Sequence, residues 1–114
     1  MIKLKGVDPQ MIANNLTPFK PTHPGEVLKD EIESRGISQR KLSKQIGYSY
    51  TVLNEILNCK RVVNTEFALL IEAALGIDAK ILIRLQNDYN LQVARKDKKL
   101  IDRFNAIRKA CAAL

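Results

Sequence analysis

Apolar residues recur along this chain at spacings of three and four, and that period predicts helices. The clearest case is residues 38–61, SQRKLSKQIGYSYTVLNEILNCKR. Leu42 and Ile46 lie four apart and Leu53 and Ile56 three apart, so each pair shares one face of its helix and can be buried. Gly47 stands between the pairs. A glycine suits the positive φ that ends a helix, and Ser49 two residues later can cap the next one. The spacing predicts a helix over 39–45, a turn over 46–48 and a helix over 50–58.

The same reading extends to both sides. A helix is expected from Pro24, where a fixed φ suits the first helical position and Glu26 meets the positive end of the dipole, to Gly36. Its apolar stripe is Val27, Leu28 and Ile32, with Lys29 and Glu31 turned outward. Asn64 or Thr65 caps a strongly apolar helix, EFALLIEAALG, that buries Phe67, Leu70, Ile71, Ala74 and Leu75 and ends at Gly76. Asp78 caps a fifth, AKILIRLQNDYNLQVAR, in which Ile81, Leu82, Leu85 and Tyr89 face the domain while Ile83 falls on a different side. An isoleucine left outside can mark a subunit contact.

From Asp97 onward Leu100, Phe104, Ile107, Cys111 and Leu114 follow at spacings of four, three, four and three, the seam of a coiled coil. About two heptads are too few for a free-standing coil, so this helix must dock on its own domain, a second subunit or another protein. Residues 1–21 hold three of the four prolines and no sustained period, and read as an arm with a helical turn at 8–15. The expected division is an arm at 1–21, an all-α domain at 22–94 and a C-terminal helix at 95–114.

Charge narrows the chemistry. The 114 residues carry 19 Lys plus Arg against 12 Asp plus Glu, a net charge of +7, which favours a polyanionic partner. The alternatives are a membrane surface or a generally basic cytosolic protein, but no apolar run approaches the length of a spanning helix, and no membrane partner is expected. Seven basic and two acidic residues lie between Arg95 and Lys109, a solvated basic face or a surface for a polyanion or acidic protein. Cys59 and Cys111 are distant, with one histidine in the chain, so neither metal site nor cofactor is expected. The N-terminus lacks the apolar core of a secretory signal, which points to the reducing cytoplasm with both thiols unoxidised. No nucleophile, base and orienting residue can be assembled, and no Gly-rich phosphate loop is present, so the chain is not read as an enzyme.

The helix at 50–58 turns Tyr50, Thr51, Asn54 and Asn58 away from the core, and Lys60 and Arg61 follow directly. Short polar side chains flanked by cations suit base edges beside phosphates. An ordinary helical hairpin with a polar solvent face would show the same spacing. The surrounding helices and the basic charge favour a DNA-binding helix-turn-helix.

Five helices with this unit at positions two and three resemble the XRE, or lambda-repressor-like, family over about residues 24–90. HPGEVLKDEI at 23–32, ILNCKRVVNTEFALLIEAALG at 56–76 and LQNDYNLQVA at 85–94 resemble its HigA antitoxin branch. Three positions depart from that pattern. Cys59 stands where the branch usually has Gly, and in left-handed geometry a cysteine costs on the order of 1 kcal/mol. Ser43 replaces Ala at the approach of helices two and three, and a Trp common before the LQ motif is absent.

The resemblance implies a DNA-binding repressor acting as the antitoxin of a type II toxin-antitoxin pair: a homodimer on double-stranded operator DNA that also binds a small ribonuclease toxin. The alternative is a stand-alone dimeric repressor without a toxin. Carried onto this sequence, the resemblance places Tyr50, Thr51 and Asn54 against bases, with Ser49 at the start of the same helix. Gln39 would fix the domain on a phosphate, and Asn58, Lys60 and Arg61 would grip the backbone. Ile83, Leu100, Phe104 and Ile107 are the candidates for a dimer or toxin contact.

Overall fold

The computed structural model describes residues 21–114 and folds them into six helices. These are α1 (Pro24–Ser34), α2 (Gln39–Ile46), α3 (Tyr50–Leu57), α4 (Thr65–Leu75), α5 (Ala79–Arg95) and α6 (Lys98–Cys111). The arm expected at 1–21, with its turn at 8–15, lies outside the described residues except for Pro21.

Five of the six helices start where a short polar side chain can take an orphan amide proton, and α1 uses the imidazole of His23. Ser49 accepts from the Val52 N–H at 3.1 Å, Asn64 from Phe67 at 2.8 Å, Asp78 from Lys80 at 2.8 Å and Asp97 from Lys99 at 2.9 Å. Gly47 closes α2 at φ 78°, a conformation open to glycine without a Cβ penalty, and the chain turns into α3 three residues later.

Leu28 and Ile32 of α1, Leu42 and Ile46 of α2, Leu53, Ile56 and Leu57 of α3, Phe67, Ala68 and Ile71 of α4, and Leu82 of α5 form one core. α1 crosses the C-terminal end of α3 so closely that a Cβ on Gly25 would overlap the Ile56 carbonyl oxygen. A side chain at position 25 would force the two helices apart.

Three expectations change and one open choice narrows. Ile83 packs against the core and Ile81 points to solvent, because the buried stripe of α5 runs through Ala79, Leu82 and Gln86. A small residue and a polar one in that stripe hid its register from a reading based on large apolar residues. Val27 and Ala74 are likewise exposed, each one step off its helix's buried line. The two central helices run one residue off the expected ends, α2 longer and α3 shorter. Finally, α6 buries no residue: it touches α5 near the connecting turn, and Ile101, Phe104 and Ile107 stay exposed.

Candidate nucleic-acid interface

The outer surface of α3 is organised by a line of side-chain amides. Asn54 donates through Nδ2 to Gln39 Oε1 at the start of α2, at 3.1 Å. Asn58 donates through Nδ2 to Asn54 Oδ1 at 3.2 Å and to the Asn54 carbonyl at 2.9 Å. Lys29 of α1 completes the line, donating through Nζ to Asn58 Oδ1 at 3.3 Å. Gln39, Asn54 and Asn58 therefore form one connected set.

The arrangement leaves Asn54 chemically competent. A carboxamide carries two donor hydrogens and two acceptor lone pairs, and one of each is used here. The remaining pair matches the N7 acceptor and N6 donor of adenine. Thr51 is exposed on the same helix, and Ser49 keeps its hydroxyl proton while its oxygen caps Val52.

Cations border this surface. The Arg40 guanidinium lies 4.4 Å from the centroid of the Tyr50 ring, a cation–π contact that orders both side chains. Arg61 pairs with Glu55 at 2.8 Å, with both side chains solvent-accessible. An exposed pair of this kind contributes about 0–1 kcal/mol, and most guanidinium donors remain for another acceptor. Lys60 is exposed beside it, and Lys41 sits in the first turn of α2. Ser38 caps α2 through the Lys41 N–H, leaving the earlier amides at the positive end of the dipole.

The loop after α3 is held from behind. Cys59 takes φ 66°, the left-handed conformation in which a side chain is strained. Val63 donates its backbone N–H to Gln86 Oε1 at 2.8 Å, and Gln86 donates through Nε2 to Asn90 at 2.9 Å. The glutamine of the LQ motif is thus a buried partner for a loop amide. His23 braces the same loop from α1. Its Nδ1 accepts from the Gly25 N–H at 2.9 Å, its ring hydrogen-bonds the Arg61 backbone, and it packs edge-on against Tyr89 at 4.9 Å. Burial holds the His23 pKa below its ordinary 6.5, against the opposing pull of the Arg61 backbone and Glu26.

Gln39, Ser49, Tyr50, Thr51, Asn54, Asn58, Lys60 and Arg61 all lie on α2, α3, the turn between them or the loop that follows. Leu100, Phe104 and Ile107 belong to α6, and Ile83 to the core side of α5. Sequence reasoning missed Lys29, Arg40, His23 and Gln86. The His-Pro-Gly start of α1 held a usable signal for His23, since a lone histidine just before a helical proline is placed to cap. No local pattern marks Lys29 or Gln86, whose partners are 29 and 23 residues away. Among the described residues, no cluster of three or more His, Cys, Asp or Glu could hold a metal ion, and no helix is long and apolar enough to cross a membrane.

The helix-turn-helix family model matches residues 28–82, from α1 into α5. Virulence-associated protein I of Dichelobacter nodosus is 33% identical over 81 residues, which span 70% of this chain and 75% of that protein. This chain belongs to the XRE-type helix-turn-helix family. Among solved structures of this family, an addiction module antidote protein of the HigA family from Coxiella burnetii is similar with a TM-score of 0.66 and 28% identity. That match covers 75% of this chain and 95% of the other. The Pseudomonas aeruginosa antitoxin HigA, solved with the higBA promoter, is similar with a TM-score of 0.63 and 28% identity, covering 67% and 84%. The likeness therefore reaches the HigA antitoxins within the wider family.

Proposed function

We propose that this XRE-family chain is the antitoxin of a type II toxin-antitoxin pair. It binds its own operator as a homodimer, represses the operon and neutralises a small ribonuclease toxin by direct association. It acts by binding rather than catalysis, in the cytoplasm, with an arm at 1–21, a DNA-binding domain at 22–94 and a further helix at 95–114. The observation that carries the DNA reading is the linked amide set of Gln39, Asn54 and Asn58 on the outer face of α3, bordered by Arg40, Lys60 and Arg61. Placed in a major groove, Asn54 reads adenine, the Thr51 methyl rests on thymine, and Gln39 with the α2 N-terminus holds a phosphate. Ser49 and Tyr50 enter the groove with the start of α3. Asn58, Lys60 and Arg61 contact the sugar–phosphate chain.

Binding titrations on operator and random DNA at several salt concentrations test this reading. Thr51→Ala and Asn54→Ala are expected to cost about 1–3 kcal/mol each on the operator and little on random DNA, whereas Lys60→Ala weakens both. Equal losses for Asn54→Ala on both DNAs remove it from base reading. Protection of two half-sites about 10 base pairs apart is expected of the dimer, and a single protected half-site at saturation rejects it.

A further inference from the structure

A cavity of about 700 Å³ opens beside α1, walled by Leu57 at the end of α3 and by Tyr89 and Val93 of α5. Lys29 lines it too, as do the carboxylates Glu26, Asp30 and Glu33, so these four side chains carry a net charge of −2. The carboxylates sit four and three residues apart along α1, so they form one exposed acidic stripe. The groove is apolar at its base and acidic at its rim.

The helix α6 has the complementary design. Leu100, Phe104 and Ile107 share an apolar face, and Arg103 and Arg108 flank that face on its two sides. Lys98, Lys99, Arg103, Arg108 and Lys109 stand against Asp102 alone, a net of +4 for the helix. Among the described residues little covers its apolar face: Leu100 is half-buried, and Phe104 and Ile107 are exposed. Two residues, Lys96 and Asp97, separate α5 from α6, and no α6 residue lines the groove within the same chain. A short hinge of this kind favours exchange between identical chains over folding back.

We propose that α6 of each copy docks in the acidic groove of a second copy. The exchange is reciprocal, with Leu100, Phe104 and Ile107 against Tyr89 and Val93, and Arg103 and Arg108 facing Asp30 and Glu33. Pairing two α6 helices seam to seam would instead set +4 against +4, so complementary charge selects the groove. The proposal rests on the homodimer of the operator reading and specifies how it is built; it is measured without DNA, so its failure leaves the assignment of the base-reading and phosphate-binding residues standing.

Sedimentation velocity on the full-length chain, with circular dichroism as a control for folding, tests it. The wild-type chain is expected to be a dimer whose dissociation constant rises with salt. Groove reversal (Asp30→Lys with Glu33→Lys) and helix reversal (Arg103→Glu with Arg108→Glu) should each raise that constant by about 30-fold or more. Mixing the two reversed proteins should then restore a heterodimer, because each helix again meets a groove of opposite sign. A monomeric wild-type chain would leave α6 to a different protein and overturn the proposal. So would a dimer unaffected by groove reversal, which would point to seam-to-seam pairing, or two folded variants that stay monomeric when mixed.

Discussion

Replacing His23 by alanine tests how α1 and the loop after the recognition helix are joined. The side chain has three jobs: it caps Gly25, hydrogen-bonds the Arg61 backbone and packs edge-on against Tyr89. An N-cap contributes about 1 kcal/mol, a hydrogen bond about 1 kcal/mol and an edge-to-face ring pair about 0.5–1.5 kcal/mol. Summed, His23→Ala is expected to cost about 3 kcal/mol in urea unfolding followed by circular dichroism at pH 7.5. His23→Asn restores the cap alone and should recover about 1 kcal/mol. A pH series adds a second readout. Burial lowers the native pKa below 6.5, so the unfolded chain binds more protons as pH drops through the window below 6.5. Stability is full above that window and declines as pH falls into it, because a protonated Nδ1 can no longer accept from Gly25. His23 is the single histidine of the chain, so the slope just below pH 6.5 should vanish in His23→Asn. A cost below about 1 kcal/mol for His23→Ala, or an unchanged slope in the asparagine variant, refutes the bracing role.

Three further substitutions probe neighbouring contacts. Gly25→Ala sets a methyl against the Ile56 carbonyl and should cost about 1–3 kcal/mol, read as a lower thermal midpoint; an unchanged midpoint would mean that α1 shifts freely. Gln86→Leu leaves the buried Val63 N–H without its acceptor and is expected to lose about 1–3 kcal/mol in the same urea assay, with faster amide exchange at Val63 as its signature. Cys59→Gly relieves a side chain at φ 66° and should raise stability by about 1 kcal/mol; a loss of stability would show that the thiol's own contacts outweigh the strain.

The helix-turn-helix was legible because local rules act there without competition. Leu42, Ile46, Leu53 and Ile56 are all buried at the spacings that announced them, Gly47 is left-handed, and Ser49 caps α3. The register of α5 was not legible. Its buried face includes Ala79 and Gln86, and the glutamine is there for an amide 23 residues earlier in the chain. The amide set was visible only as three separate polar residues, Gln39, Asn54 and Asn58. Its linkage depends on the crossing of α2, α3 and α1, which no local pattern contains. For α6 the seam was correctly periodic, but periodicity specifies a face and not what covers it.

Charge led to a polyanion by a route that the structure alters. Of the net +7, five units lie between Arg95 and Lys109, so residues 1–94 hold 12 basic and 10 acidic side chains. The domain at 22–94 is neutral as a whole, with nine basic and nine acidic side chains, while the helix-turn-helix at 38–61 within it carries five basic residues against Glu55. Its grip on DNA must come from where the cations stand: Arg40 ordered on Tyr50, Lys41 in the first turn of α2, and Lys60 and Arg61 in the loop that Gln86 and His23 hold in place. The acidic residues of α1 face the groove beside α5 instead. Because phosphate contacts depend on local geometry more than on total charge, loosening that loop should weaken binding even with every cation retained. That dependence ties the stability of a buried histidine and a buried glutamine to the DNA surface. Neither side chain needs to touch a nucleotide to matter there.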